Sequence, residues 1–328
     1  MYLTFYELKE RPFNTTPDPR FLYLTPGHRE ALAQLEYSVR ENRGFVVLTG
    51  AAGTGKTTLL HAFLERLDGR AAVAYVFNPM LSFDGLLEYL LVELGATTPS
   101  SSPAQRLLAL RRVLLDRRRA GQNTVLVLDE AQNLDVATLE RIRLLSNFET
   151  PAEKLLQILL VGQPDLRAKL NRPELRQLQQ RIELQCSLSP LSHEQVRDYI
   201  RTRLRVAGAH DRELFSDRAQ TRIAVYSRGI PRRVNILCDH CLVIGYADQR
   251  RRIEAEVVDQ AIEALEGPDR RPTPRPTSPA GTTRERWILG AVAAAALAGI
   301  AVAPVRFEAE HLVTLARYVR DLFLGPLP

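Results

Sequence analysis

The chain has 328 residues, of which 45% are hydrophobic and 25% charged, an ordinary globular composition that allows a sizeable core. Its three cysteines are too few, and odd in number, for a disulfide framework. The net charge of +6 lies mainly between residues 268 and 306, where six arginines accompany two acidic residues. The first 267 residues carry only +3, which argues against a basic face for nucleic acid.

Five short apolar runs, separated by stretches with helical patterns, predict the strands of an α/β domain. The runs are residues 45–49, 72–77, 124–129, 155–162 and 182–188. Strands that alternate with helices predict a parallel sheet covered on both faces. From Ser192 to about Leu265 the pattern is helical only. We therefore predict an N-terminal segment and core over residues 1–190 and a small helical lid domain over 191–267.

Residues 50–57, GAAGTGKT, match the phosphate-binding P-loop pattern, and they lie between an apolar run and a helical stretch as that motif requires. The glycines let the backbone N–H groups face phosphate oxygens. Lys56 is expected to reach the β- and γ-phosphates of ATP, and Thr57 to ligate Mg²⁺. The predicted nucleotide contacts are Gly50, Ala51, Ala52, Gly53, Thr54, Gly55, Lys56, Thr57 and Thr58.

Two acidic residues end the third apolar run. A carboxylate at a strand end beside the P-loop can hold Mg²⁺, directly or through water, and we assign this role to Asp129. Glu130 is placed to polarise the attacking water as a general base. The alternative is that the pair belongs to a solvated turn.

Three further polar positions are candidates for the catalytic site. Gln163 ends the fourth strand, where it can orient water or sense hydrolysis, or else simply cap a turn. An arginine before the fifth strand can neutralise charge in the site of a neighbouring subunit, which predicts a homo-oligomer; we favour Arg181 over Arg176, and neither acting is the alternative. In GIPRRVN, at the start of a lid helix, we favour Arg232 over Arg233 as the residue that folds over the phosphates.

The segments that follow the lid have a different composition. Residues 268–286 are rich in Pro and Arg, which predicts an extended disordered linker. Residues 287–305 carry no charge over 19 positions, enough for one transmembrane helix; because the run is rich in alanine, a buried soluble helix is the alternative. The preceding arginines are expected to stay in the cytoplasm. Residues 306–328 predict a short amphipathic tail at the membrane or a partner, or a frayed end.

Taken in chain order, these motifs resemble the AAA+ superfamily. The segments FYELKERPFNTTPDPRFLYLTPGHREAL, LDEAQNL, VGQPDL and GIPRRVNILCD are also similar to the family of general secretion pathway protein A, the ExeA-type ATPases. This resemblance implies a cytoplasmic ATPase, one span of the bacterial inner membrane, and energy-dependent assembly of an envelope secretion machine. It also implies that PDPRFLY wraps near the nucleotide base and that His28–Glu30 opens the helix before the P-loop.

The resemblance leaves the pathway open. Longer members carry a peptidoglycan-binding domain after the span, and the short segment after Val305 is too small for one, so direct peptidoglycan binding is not expected. Relatives serve other envelope systems, including polysaccharide export and protein sorting. The expected partners are therefore envelope secretion or export proteins, further copies of this chain, and the inner membrane.

Three functional hypotheses remain from the sequence. The first is a single-pass inner-membrane ATPase with its ATPase domain in the cytoplasm. The second is a DNA-directed AAA+ ATPase of the transposition-helper or origin-recognition type, which the uncharged run and the near-neutral core disfavour. The third is a nucleotide-gated scaffold that does not hydrolyse ATP, and the intact Lys56, Asp129 and Glu130 count against it.

Overall fold

A parallel five-stranded sheet lies at the centre of the first half of the protein. Its strands are β1 (Phe45–Gly50), β2 (Ala71–Val76), β3 (Asn123–Leu128), β4 (Gln157–Gly162) and β5 (Ile182–Leu188). They are ordered β2-β3-β4-β1-β5, and every neighbouring pair is parallel. Each predicted apolar run coincides with one strand to within two residues at either end, so the predicted α/β core is confirmed.

The structure is a computed structural model that describes most of the first 267 residues. The described residues are 1–67, 69–77, 81–97, 102–151, 153–209 and 213–267. The predicted linker at 268–286, the predicted transmembrane helix at 287–305 and the tail at 306–328 lie outside them. Within the described ranges, no helix is both long and apolar enough to cross a membrane.

Helices cover both faces of the sheet. They are α1 (Tyr2–Tyr6), α2 (Pro26–Arg40), α3 (Lys56–Leu67), α4 (Phe83–Glu93), α5 (Pro103–Arg119), α6 (Val136–Leu145), α7 (Pro164–Leu170) and α8 (Arg176–Gln179), of which α1 packs elsewhere. Successive side chains of a strand point to opposite faces, so Leu126 packs with α4, α5 and α6 whereas Val127 packs with α2 and α3. Both are fully buried, which explains why this strand reads as a continuous apolar run.

In the part of the chain that the structure describes, four helices follow the sheet and share a core of their own. They are α9 (His193–Val206), α10 (Asp217–Ser227), α11 (Pro231–Ala247) and α12 (Ala255–Glu266). The first begins with a capping box, in which Ser192 and Gln195 each accept the other's backbone N–H. Cys238 and Cys241 are fully buried on α11 as free cysteines, so they serve as small apolar residues of this core.

The N-terminal segment packs with these four helices. Tyr6, Phe13 and Phe21 all belong to the helical core, and the hydroxyl of Tyr2 donates a hydrogen bond of 2.6 Å to Asp239. The sequence predicted one unit over residues 1–190 that holds both this segment and the α/β core, whereas the aromatic residues of the segment pack with the helical core. The aromatic residues of the segment lack a helical or strand period, so the sequence pattern does not indicate the surface that buries them.

Gly229, near the start of α11, packs closely against the backbone of Leu191, near the start of α9. It lies in the left-handed region, with φ of 72°, just before α11. The backbone N–H of Leu191 donates to its carbonyl at 2.8 Å. A Cβ at this glycine would lie 2.0 Å from the carbonyl oxygen of Leu191. A side chain here would therefore force the two segments apart.

We predict that Gly229→Ala destabilises the protein more than Gly95→Ala. Both glycines have φ of 72°, but a Cβ at Gly95 would meet nothing within 4 Å. Left-handed backbone costs about 1–2 kcal/mol in either variant, and overpacking adds about 1–3 kcal/mol for Gly229→Ala. Urea unfolding of both variants measures the difference. Equal destabilisation would contradict the crowding of Leu191 against Gly229.

Candidate nucleotide-binding site

A cavity lies where the carboxyl edge of the sheet, the N-terminal segment and the lid helices meet. Residues 52–58, which comprise the end of the loop after β1 and the first turn of α3, form one wall, and Glu130 lies beside them. Residues 14–18 and 21–23 of the N-terminal segment form a second wall. Residues of α9 and α11 form a third wall. The cavity between these three parts of the chain has the place and lining of a nucleotide site.

The loop between β1 and α3 has the backbone that phosphate binding needs. Gly53 and Gly55 have φ of 80° and 96°, a region that side chains disfavour. The carbonyl of Gly53 accepts from the backbone N–H of Arg232 at 3.2 Å. A Cβ at Gly53 would lie only 2.7 Å from the Cβ of Arg232. The lid therefore rests directly on the loop, and glycine is needed at the contact.

Lys56, the first residue of α3, is a buried cation. Its Nζ donates to the carbonyl of Gly50 at 2.9 Å and to that of Ala51 at 3.2 Å. Burial lowers the pKa of this ammonium, and the nearby charges of Glu130 and Asp129 act in the opposite direction. Its acceptors are neutral carbonyls, and anionic phosphate oxygens would bind it more strongly. The loop thus fits a nucleotide.

All nine predicted nucleotide contacts lie in or beside this loop. Residues 52–58 line the cavity, while Gly50 and Ala51 supply the carbonyls that hold Lys56. The hydroxyl of Thr54 donates to the carbonyl of Ala51 at 2.8 Å, which tightens the turn. Thr57 and Thr58 are half-buried at the start of α3. The structure therefore brings the predicted set together.

Asp129 is held rigidly at the end of β3. Its carboxylate accepts from the hydroxyl of Tyr75 at 2.9 Å and from the backbone N–H of Glu130 at 2.8 Å. Burial raises the pKa of Tyr75, so its hydroxyl remains a donor. Among the described residues, no group of three or more acidic, His or Cys side chains is placed so that it could hold a metal ion by itself. Mg²⁺ commonly binds one or two carboxylates together with substrate phosphates, so Asp129 with Thr57 is a suitable donor set.

The side chain of Glu130 faces the cavity. The residue adopts a left-handed backbone, with φ of 51°, and starts the short turn Ala131–Asn133. Its carboxylate accepts from the side-chain amide of Gln132, and the amide nitrogen of Gln163 lies farther away at 3.5 Å. The predicted alternative, a merely solvated turn, does not fit a half-buried carboxylate that lines the cavity.

The side chain of Gln163, which was predicted to orient water, sense hydrolysis or cap a turn, lies near the Glu130 carboxylate. Gln163 is also the residue before α7, but its side chain makes no capping hydrogen bond there. Its backbone N–H donates instead to Gln132 Oε1 at 3.0 Å. Neither Gln132 nor Tyr75 was predicted from the sequence. Gln132 could have been found as a polar residue close after the acidic pair in LDEAQNL. Only the strand pairing shows that Tyr75 reaches Asp129.

The candidate arginines fall into two groups. Arg232 lines the cavity, whereas the guanidinium of Arg233 lies 4.9 Å from the ring centre of Tyr226 within the lid. The structure therefore favours Arg232 between the two. Arg181 is absent from the cavity lining, and its Nη1 donates to Ser146 Oγ and Asn147 Oδ1, both at 2.6 Å, at the end of α6. Arg176 is exposed at the start of α8.

A buried arginine of the lid, missed in the sequence analysis, secures the N-terminal wall of the cavity. Arg203 on α9 is 6% exposed and donates to the carbonyls of Pro12 and Asn14. It also donates to the hydroxyl of Tyr199 at 2.7 Å and lies 4.7 Å from the ring centre of Phe21. These contacts make residues 12–21 part of the lid.

His28 joins the same wall to the P-loop. Its Nδ1 lies 2.6 Å from Thr25 Oγ1, and its Nε2 lies 3.4 Å from the carbonyl of Thr54. Burial lowers the pKa of the imidazole, which favours the neutral form. The residue belongs to the first turn of α2, which begins at Pro26 with Thr25 as its cap. The resemblance to known ATPases implied that His28–Glu30 opens this helix, and the helix begins two residues earlier.

Comparison with known proteins identifies the same architecture. Residues 39–170 match the AAA domain family. Over 254 residues the chain is 41% identical to general secretion pathway protein A from Aeromonas hydrophila, an alignment that covers 77% of this chain and 46% of that protein. The chain therefore spans about half the length of this relative.

Solved structures share the fold at lower identity. The Aeropyrum pernix ORC2 protein superposes with a TM-score of 0.59 at 17% identity, covering 78% of this chain and 71% of that one. The Thermotoga maritima RuvB Holliday junction branch migration motor gives 0.51 at 23% identity, covering 74% and 70%. These likenesses support the fold alone. The much higher identity to the secretion protein extends well beyond the AAA domain, and the chain is an ATP hydrolase of the AAA+ type that belongs to the general secretion pathway protein A family.

Proposed function

We propose that this protein hydrolyses ATP to drive or regulate the assembly of a bacterial envelope secretion or export machine, from a position on the cytoplasmic face of the inner membrane. The observation that carries the proposal is the 41% identity to general secretion pathway protein A. The shared region covers 46% of that relative, so the ATPase unit is the part from which the function is inferred.

The proposed chemistry follows from the cavity. Residues 52–58 bind the phosphates of ATP, with the Lys56 ammonium exchanging its carbonyl acceptors for phosphate oxygens. Thr57 and Asp129 would hold Mg²⁺, which when bound supplies positive charge against the phosphate oxygens. Glu130 orients the attacking water and accepts its proton. Gln163, beside that carboxylate, contacts the same water or the γ-phosphate.

The contacts of the lid with the P-loop and the N-terminal segment couple ATP binding to lid movement. Arg232 contacts the P-loop through its backbone, and Arg203 ties residues 12–14 to α9. A nucleotide bound between them therefore touches the core, the N-terminal segment and the lid together. We propose that the presence or absence of the γ-phosphate changes the lid position through Arg232, and that this movement acts on the envelope partner.

We predict that Lys56→Ala abolishes ATP binding, whereas Glu130→Gln binds ATP normally and loses turnover by about 10²–10⁴-fold, the usual contribution of a general base. A fluorescent ATP analogue measures binding, and phosphate release measures turnover. Glu65→Gln, an exposed change on α3, is the matched control and should behave like the parent protein. Parental turnover by Glu130→Gln would contradict the assignment of the base.

We predict that Arg181→Ala binds ATP normally but turns over about 10³-fold more slowly, because the arginine acts in the site of a neighbouring subunit. Mixing this variant with Glu130→Gln should restore part of the activity, since each supplies what the other lacks. Ser146→Ala, which removes one acceptor of Arg181 at the end of α6, controls for a local structural role. The absence of recovery in demonstrably mixed assemblies would contradict a shared site.

We predict that residues 287–305 anchor the protein as a single span. The protein should resist carbonate extraction, and a reporter active outside the cytoplasm should work after Pro328 but fail near Pro268. Leu297→Arg should weaken insertion, because a central arginine costs about 2.5–3.5 kcal/mol on insertion scales. Leu315→Arg, beyond the run, is the control. A full-length protein that is soluble without detergent would contradict the anchor and make the DNA-directed alternative the leading hypothesis.

A further inference from the structure

We infer that Gln132 is a positioning residue for ATP hydrolysis, which aims the Glu130 carboxylate and ties it to the end of β4. The inference rests on the proposed role of Glu130 as the general base. Gln132 lies in the turn Ala131–Asn133, directly after the acidic pair. Its side chain is half-buried and forms hydrogen bonds with two neighbours, Glu130 and Gln163.

Both the nitrogen and the oxygen of the Gln132 side-chain amide form hydrogen bonds. Its Nε2 donates to Glu130 Oε2, and its Oε1 accepts from the backbone N–H of Gln163 at 3.0 Å. A planar amide held at both ends fixes the direction of the carboxylate that it contacts. Among the described residues, the other donor to this carboxylate is the Gln163 side chain, at the longer distance of 3.5 Å. Gln132 is therefore the closer of the two supports.

The surrounding backbone is arranged to hold this amide. Lys169 on α7 donates to the carbonyls of Gln132 and Leu134, which fixes the turn from outside. Gly162, the last residue of β4, leaves the space that the amide occupies, because a Cβ there would lie 2.6 Å from Gln132 Oε1. A larger residue at Gly162 would push the amide away. The contact is thus supported by two elements in addition to its own turn.

The consequence is that the base, Glu130, and Gln163, the residue directly after β4, are coupled through Gln132. A change in the position of Gln163 displaces its own N–H, which moves the amide of Gln132 and hence the Glu130 carboxylate. The alignment of the base then depends on the state of the neighbouring strand end. Positioning of this kind affects the chemical step more than nucleotide binding, because the two hydrogen bonds of the amide go to Glu130 and Gln163 and to no residue of the P-loop or the lid.

The test compares two substitutions at one position in the full-length protein. Gln132→Ala removes both hydrogen bonds. Gln132→Glu keeps an acceptor for the N–H of Gln163 but replaces the donor with a second carboxylate facing Glu130. We expect both variants to lower kcat by about 10–100-fold, the usual effect of losing a supporting contact, with the dissociation constant for ATP within about twofold of the parent value. Asn133→Ala, an exposed amide in the same turn, should retain parental kcat.

A second comparison asks whether Gln132 acts through Glu130. The double variant Gln132→Ala with Glu130→Gln should be no slower than Glu130→Gln alone, since the positioned group is already absent. Thermal unfolding confirms that all variants are folded. Additive losses, parental kcat in Gln132→Ala, or parental kcat in Gln132→Glu would overturn the inference. Parental turnover by Glu130→Gln alone would instead overturn the proposed base, so the two failures are distinguishable.

Discussion

A buried ammonium group beside two carboxylates is the interaction around which the site is built. Lys56 is 6% exposed and Asp129 is equally buried, so each charge has lost much of its hydration and needs partners. The carbonyls of the P-loop serve the ammonium, and Tyr75 with a backbone N–H serves Asp129. Lys56 follows β1 and Asp129 follows β3, so the two groups stay close only while the ends of these strands remain aligned. The site therefore depends on the strand register of the sheet.

The strand order explains why three distant segments converge. Since β4 lies between β1 and β3, its end necessarily lies between the P-loop and the acidic pair. Gln163 occupies that end, and its N–H and side chain both point toward the turn after β3. A polar residue there has access to both halves of the site. Any α/β protein with this order could place a sensing residue at the same point.

The α/β core and the polar residues at its strand ends could be predicted because the sequence patterns that indicate them are local. The P-loop, the acidic pair and Gln163 each follow an apolar run, and parallel strands align such ends by topology alone. Contacts that depend on long-range packing could not be predicted. Arg203 looks like one more charge on an amphipathic helix, yet it is buried against Phe21 and the carbonyls of the N-terminal segment. The sequence identifies Tyr75 only as a strand residue, and the pairing of β2 with β3 is needed to show that it lies near Asp129.

The helix α6 links the region of the base to the position of Arg181. Its first turn is capped by Asp135, close after the turn that carries Gln132. The residues directly after its last turn provide side-chain acceptors that hold Arg181 in this chain, including Ser146 and Asn147. An arginine that reaches a neighbouring subunit must leave these acceptors. The residue proposed to serve the neighbour and the residue that aims the base are therefore connected through one helix of ten residues.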